Sequence, residues 1–271
     1  MNKTYFSDLG GLPGQDHSMQ DKAVFTEAYA VIPRTVMRDI VTSYFPHWTG
    51  ARAWVLARPL SGFAETFSYY VMDVEEGGGS SNPDPDPKAE AVLFVVKGSA
   101  SLVLDGITHE LVAGSYVYIA AGCAWSLSAN SQTIFHWVRK SYAPADGVEH
   151  PDSFVTHDDE AKPIEMAGAE GIWSTSRFVD PSDLRHDMHV NIVNFAPGGI
   201  IPFAETHVME HGIYILQGTA RYYLNGDWVD VEPGDFLWLR AFCPQACITT
   251  GDEPFRYLLY KDVNRHMPLT L

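Results

Sequence analysis

The chain has 271 residues, 46% of them hydrophobic and 13% aromatic, and this composition excludes disorder as a general description. Its 34 acidic and 18 basic residues give a formal net charge of −16, and because nucleic acids are bound through Lys and Arg, no nucleic-acid partner is expected. No apolar run approaches the roughly 20 residues that span a bilayer, so no membrane partner is expected either.

The N-terminal segment has no pattern of an export signal. Residues 1–16 contain one Lys, two acidic residues and no apolar core, unlike a secretory signal peptide. The three cysteines of the chain cannot complete a disulfide framework. We therefore expect a cytoplasmic protein.

Strand patterns dominate the chain, and helical patterns are confined to residues 36–44 and 181–185. Asp105-Gly106 and Asn225-Gly226 predict type I′ hairpins, because that turn requires a positive φ at both central positions. Short strands separated by turns roughly every 8–12 residues are typical of an all-β sandwich or barrel. The fold class is therefore predicted to be all-β.

The two halves of the chain repeat each other. A shift of 120 residues superimposes glycines without an insertion, namely Gly78 on Gly198, Gly79 on Gly199, Gly98 on Gly218, Gly106 on Gly226 and Gly114 on Gly234. Such self-similarity indicates a duplicated unit. We predict two tandem β-barrels, over residues 1–145 and 146–271, with a surface linker within residues 142–169.

Potential metal ligands concentrate in the second half. Glu205 and His207 are two residues apart, so on an extended segment both face the same side. His211 follows after a turn-sized gap, and Gln245 lies beyond the next turn. Two imidazoles, a carboxylate and an amide oxygen suit a divalent ion such as Mn²⁺, Fe²⁺, Ni²⁺ or Zn²⁺ and leave two octahedral positions open.

The spacing of these residues resembles the two motifs of the cupin superfamily, a family of jelly-roll-like barrels. Cupins usually place His, His, Glu and His at the four positions that here hold Glu205, His207, His211 and Gln245. That set, the block at residues 205–212 and the block Tyr257, Lys261, Asp262, Asn264 and Arg265 are similar to the bicupin (S)-ureidoglycine aminohydrolases of allantoin catabolism.

The resemblance implies a hydrolase of purine catabolism. It would convert (S)-ureidoglycine, a small ureide, to (S)-ureidoglycolate and ammonia, with one Mn²⁺ held by the four positions of the C-terminal barrel. The residues 120 positions earlier are Pro85, Pro87, Ala91 and Trp125, and none of these side chains binds a divalent metal. The N-terminal barrel is therefore expected to be a scaffold or a dimer contact.

Two further residues are candidate catalytic groups. Tyr257 and Lys261 share one face of a predicted strand. If that face lines the barrel interior, Lys261 could pair with the substrate carboxylate or move protons, and Tyr257 could donate a hydrogen bond. Glu210 and Asn191 are weaker candidates, Glu210 for orienting an imidazole and Asn191 for facing the pocket.

Two other classes of function remain open at this point. One is a different metal-dependent cupin enzyme, such as an iron dioxygenase acting on a small acid. The other is a bicupin that binds a small ligand without turnover. In each case a homo-oligomer is the expected assembly.

Overall fold

A computed structural model of the chain describes residues 23–36, 42–59, 62–166, 169 and 171–262. These residues form 21 β-strands and a single-turn 3₁₀ helix, Arg34–Val36. The strands are β1 (Val24–Phe25), β2 (Tyr29–Ile32), β3 (Thr42–Ser43), β4 (Thr49–Ala57), β5 (Ser68–Ser80), β6 (Ala89–Lys97), β7 (Ser99–Leu104), β8 (Ile107–Val112), β9 (Ser115–Ile119), β10 (Trp125–Ala129), β11 (Thr133–Ser141), β12 (Phe154–His157), β13 (Pro163–Glu165), β14 (Trp173–Ser176), β15 (Met188–Phe195), β16 (His211–Gln217), β17 (Ala220–Leu224), β18 (Asp227–Val231), β19 (Phe236–Leu239), β20 (Gln245–Thr249) and β21 (Phe255–Asp262). The all-β prediction is confirmed.

The predicted helix at residues 181–185 is wrong. The segment forms consecutive turns, in which the carboxylate of Asp180 accepts a hydrogen bond from the Ser182 amide at 2.8 Å and that of Asp183 accepts one from the Arg185 amide at 3.0 Å. Such local side-chain acceptors compete with helical hydrogen bonds. In the other stretch, Val36 ends the 3₁₀ helix and Thr42 begins β3, while residues 37–41 lie outside the described part of the chain.

Both predicted type I′ hairpins are present. Asp105 and Gly106 have φ of 49° and 79°, and Asn225 and Gly226 have φ of 49° and 107°. The pairs connect β7 to β8 and β17 to β18 with the same register, Leu104 opposite Ile107 and Leu224 opposite Asp227. The repeat in the sequence is therefore a repeat in the structure.

Three sheets contain the strands of the described residues. One has the order β12-β9-β6-β11-β5-β10-β7-β8, with β4 pairing β5 and β3 pairing β4. The second has the order β1-β2-β19-β16-β21-β15-β14-β13, and the third is β18-β17-β20. All pairings are antiparallel.

Sheet membership crosses the predicted boundary at residues 145 and 146 in both directions. Strand β2 comes from the first half, yet it pairs with β19 of the second. Strand β12 lies within the predicted linker, yet it pairs with β9 of the first half. Because an unpaired sheet edge favours association with another strand, each half uses a strand from beyond the boundary to cover an edge. Residues 142–169 are thus not solely a surface linker.

One hydrophobic core joins the two halves. It contains fully buried aromatic side chains from both, among them Phe67, Tyr69, Phe94, Tyr214, Phe236 and Tyr260. The rings of Phe67 and Tyr260 stack with centroids 4.0 Å apart. Each half also has a separate interior cluster. No helix in the described residues is both long and apolar enough to cross a membrane.

Candidate metal centre and substrate pocket

The second half contains a cavity of about 100 Å³ at the interior face of β14, β15, β16 and β21. Seven of the eight residues predicted for the site line it, the exception being Glu210. The complete lining is Met166, Trp173, Thr175, Arg177, Asn191, Val193, Glu205, His207, Met209, His211, Ile213, Gln245, Tyr257, Leu259 and Lys261. Side chains from separate strands therefore line one cavity.

Strand register explains this convergence. His211 on β16 lies opposite Lys261 on β21, and Tyr257 lies opposite Val193 on β15. Because alternate residues of a strand share a face, Asn191 lies on the same face as Val193. Tyr257 and Lys261 share a face of β21, as the sequence predicts.

Glu205 and Gln245 are held side by side by a backbone bridge. The amide of Glu205 donates to the carbonyl of Gln245 at 2.9 Å, and the amide of Gln245 donates to the carbonyl of Glu205 at 2.9 Å. His207 Nε2 lies 3.2 Å from Glu205 Oε1. The rings of His207 and His211 have centroids 5.2 Å apart.

The protonation of His211 leaves a nitrogen lone pair for a ligand. Its Nδ1 lies 2.9 Å from the carbonyl oxygen of Glu210. A carbonyl oxygen only accepts hydrogen bonds, so Nδ1 carries the proton and Nε2 keeps its lone pair. Burial is the largest of the effects that lower the pKa of His211, to about 3. The imidazole is therefore neutral at pH 7, the form that binds metals.

These residues supply a mixed nitrogen and oxygen donor set that could hold a divalent cation. Within the described ranges, His, Cys, Asp and Glu side chains form no ready cluster of three or more for a metal. Glu205 and His207 contact each other instead. The fourth donor, Gln245, is an amide. The type of donors and their common cavity fit a metal.

The pKa values of Lys261 and Tyr257 are shifted in opposite directions. Burial, followed by the charge of Arg177, lowers the pKa of Lys261, and Asp262 opposes that effect. Burial also raises the pKa of Tyr257 well above its usual range, so the phenol stays protonated. The Tyr257 hydroxyl accepts a hydrogen bond from the Tyr222 hydroxyl at 3.2 Å and can donate its own proton into the cavity.

Glu210 lies outside the cavity and connects the site to the first half of the chain. Its carboxylate accepts hydrogen bonds from the Glu65 amide at 2.7 Å, the Thr66 amide at 2.9 Å and Trp238 Nε1 at 2.5 Å. Its carbonyl oxygen, rather than its carboxylate, contacts His211. The expected contact with an imidazole is thus made by the backbone.

Arg177 lines the cavity and was missed by the motifs. It follows β14 directly, on the same face as Trp173 and Thr175, two residues that also line the cavity. The alternation of these three residues is visible in the sequence. The sequence does not show which strand lies beside them, because β14 pairs with β15 across a turn-rich segment.

Two cupin family models match the chain, one in each half. The model described as a cupin domain matches residues 191–260. The model described as an EutQ-like cupin domain matches residues 61–142. Together with the duplicated sheets, these matches confirm the predicted bicupin fold.

Solved structures with similar folds include two bacterial proteins that align with nearly the whole chain. A putative glyoxylate-induced protein from Pseudomonas aeruginosa is 59% identical, with a TM-score of 0.92 and full coverage of both chains. The protein Ylba from E. coli is 25% identical with a TM-score of 0.79, and the alignment covers 95% of this chain and 100% of that one. Oxalate decarboxylase from Bacillus subtilis, 12% identical with a TM-score of 0.67, covers 91% of this chain and 80% of its own and shares the fold alone.

Curated relatives give a more specific grouping. A probable (S)-ureidoglycine aminohydrolase from rice is 32% identical over 227 residues, which cover 83% of this chain and 71% of the relative. The (S)-ureidoglycine aminohydrolase of Escherichia coli K12 is 30% identical over 234 residues, 85% of this chain and 87% of the relative. The chain therefore belongs to the (S)-ureidoglycine aminohydrolase family.

Proposed function

We propose that this protein hydrolyses (S)-ureidoglycine to (S)-ureidoglycolate and ammonia in the breakdown of allantoin. In this reaction the C–N bond to the amine breaks, a C–O bond to water forms, and the amine leaves as ammonia. The observation that carries the proposal is the cavity in which Glu205, His207, His211 and Gln245 meet Lys261, in a chain 32% and 30% identical to relatives of that name.

We further propose Mn²⁺ as the metal, with Glu205, His207, His211 and Gln245 as its ligands. Bound there, the ion would act as a Lewis acid and a template for the substrate. The neutral imidazole of His211 supports this role, as does the bridge that keeps Glu205 and Gln245 adjacent. The C-terminal half, residues 146–271, then carries the reaction, and the N-terminal half, residues 1–145, holds no metal.

The remaining groups of the cavity handle protons and exclude water. Lys261 holds protons on Nζ at the cavity wall, where one can be given to the departing amine. Tyr257 donates a hydrogen bond from its hydroxyl to the substrate. Trp173, Met209 and Leu259 supply apolar walls that limit the space to a small molecule. The cavity therefore fits a small ureide better than a polymer.

The direct test is ammonia release from (S)-ureidoglycine, generated in situ from allantoate because it decays. Metal-stripped protein is assayed with and without added Mn²⁺, beside a His207→Ala variant. The proposal predicts release above the spontaneous rate only with metal, and none in the variant. Metal-loaded protein that releases no ammonia above the spontaneous rate would overturn the proposal, and oxygen consumption would then be measured with Fe²⁺.

A further inference from the structure

The lining of the cavity is positively charged in a chain that is strongly acidic. Arg177 and Lys261 both line it, and Glu205 is the one acidic residue among its described lining residues. Glu205 is already in contact with His207. The whole chain carries a formal net charge of −16. Two cations in a narrow cavity favour an anionic ligand, because low-dielectric walls focus their field.

Arg177 differs in its partners from five arginines of the chain. Five arginines form ion pairs of 2.7–3.3 Å with aspartates, namely Arg52, Arg139, Arg185, Arg221 and Arg256. For Arg177, no carboxylate in the described part of the chain lies within the 4.0 Å of an ion pair. The fully exposed Asp180 feels its charge only weakly. Arg177 is half-buried, and its guanidinium group has no ion-pair partner among the described residues.

Strand register places Arg177 beside Asn191. Ser176 on β14 lies opposite Ile192 on β15, so the antiparallel register continued by one residue brings Arg177 to Asn191. Both line the cavity. An arginine fork next to an amide supplies several hydrogen-bond donors in one plane. A carboxylate in the cavity can therefore accept hydrogen bonds from both residues.

The first half of the chain has a cation at the position equivalent to Lys261, and an aspartate pairs with it. Arg139 lies opposite Ala91, as Lys261 lies opposite His211, so the two cations occupy equivalent positions. Arg139 is neutralised within the chain by Asp84, whose Oδ2 lies 2.7 Å from Nε. Neither Lys261 nor Arg177 has such a partner among the described residues. An anion that enters the cavity would meet both charges.

We propose that Arg177 binds the carboxylate of the substrate through its guanidinium group. This inference rests on the proposed function, in which the substrate is a ureide with one carboxylate. It makes Arg177 the residue that selects acidic ureides over neutral ones, and it leaves Lys261 to the leaving amine. Arginine suits the role because its fork matches a carboxylate with two parallel hydrogen bonds.

The test compares two stable probes that differ at one group, which is a carboxylate in ureidoacetate and a neutral amide in ureidoacetamide. Each is titrated calorimetrically into Mn²⁺-loaded protein, as wild type and as Arg177→Gln. Charge-assisted hydrogen bonds of about 1.5–3 kcal/mol predict that Arg177→Gln weakens ureidoacetate binding roughly 10- to 100-fold and leaves ureidoacetamide binding unchanged. Arg221→Gln, an exposed arginine outside the cavity, is the matched control and should bind both probes like wild type.

The remaining outcomes separate this inference from the proposed function. Equal loss of both probes in Arg177→Gln, retention of both, or failure of wild type to bind ureidoacetate would overturn the role of Arg177. Ammonia release measured in parallel should show a raised KM for Arg177→Gln. If wild type releases no ammonia but binds ureidoacetate through Arg177, the acid-binding site stands and the proposed function falls.

Discussion

The two halves of the chain have the same fold and opposite interiors. A shift of 120 residues takes Glu205, His207, His211 and Gln245 to Pro85, Pro87, Ala91 and Trp125, and these four residues line a cavity at the equivalent place in the first half. The cavities measure about 160 Å³ in the first half and about 100 Å³ in the second. The four positions therefore offer metal donors only in the second half.

The strand interior behind each cavity differs in the same sense. Trp137 in the first half lies opposite Leu93, as Leu259 lies opposite Ile213 in the second. It belongs to a cluster of rings with centroids 5.4–6.4 Å apart that also includes Phe45, Trp48, Tyr70, Trp125 and Phe135. Aromatic burial stabilises a barrel strongly. Aromatic rings that stabilise the barrel thus fill the interior of the first half, whereas polar groups that can take part in a reaction line the interior of the second.

The first half nevertheless supports the site physically. A segment at residues 65–67 contacts the start of β16, where Glu210 and Gly212 flank His211. The ring of Phe67 occupies the place that a side chain at Gly212 would fill. We infer that the first half helps to fix the position of His211. Four predictions test this division of labour, in order of expected effect.

The largest effect should come from the cations at equivalent positions. Lys261→Met removes the ammonium group that can give a proton to the leaving amine. It should lower kcat for ammonia release by about 10²- to 10⁴-fold, the range of general acid–base catalysis. Arg139→Met, which changes the equivalent position of the first half, should leave kcat within a factor of about two. Steady-state kinetics of both variants check this. A loss of similar size in Arg139→Met would contradict the assignment of the reaction to the second half.

Loss of the Glu210 carboxylate should weaken the contact between the two halves and lower the stability of the protein. Glu210→Ala leaves three donors, Glu65 N, Thr66 N and the buried Trp238 Nε1, without their acceptor. We expect the free energy of unfolding to fall by about 3 kcal/mol or more, as measured by urea denaturation. Glu110→Ala, which removes an exposed carboxylate, is the control and should cost less than about 1 kcal/mol. Similar values for the two variants would show that the contact is dispensable.

A methyl group at Gly212 should disturb the same junction. The added Cβ would lie 2.7 Å from Cε2 and Cζ of the fully buried Phe67 ring. Overpacking of this kind costs about 1–3 kcal/mol, and Mn²⁺ affinity should weaken because His211 is adjacent. Phe67→Leu in the Gly212→Ala background should restore part of both losses. Additive effects in the double variant would show that the two residues do not interact.

The smallest effect concerns the turn that follows the second hairpin. Burial is the largest of the effects that raise the pKa of Asp235 from 3.8 to about 6, and the first half has Ser115 at this position. The folded state therefore binds this proton more tightly than the unfolded state, so this contribution to stability is present below pH 4 and is lost as pH rises towards 6. Asp235→Ser should remove this decline, which we expect to be about 2 kcal/mol. Urea denaturation at pH 4.5 and pH 7 compares the two proteins, and an unchanged difference would exclude Asp235 as its source.

Local patterns predicted much of the fold and of the candidate site. The Asn225-Gly226 turn and the alternation of Tyr257 and Lys261 depend on neighbours in sequence, and both are found in the structure. The exchange of β2 and β12 between sheets was not predictable, because it depends on pairings between residues as distant as Trp238 and Ala30. The same holds for Arg177, whose place in the cavity depends on the strand that β14 joins, and for Glu210, whose carboxylate finds its donors 144 and 145 residues away.

We propose that only the second of the two equivalent barrels holds a metal. Titration of the metal-stripped chain with Mn²⁺, followed by electron paramagnetic resonance of the free ion, measures this directly. We expect one tight site per chain in wild type and none in His207→Ala, with both proteins showing the same cooperative unfolding in urea. Two tight sites per chain, or a tight site that survives in His207→Ala, would contradict it.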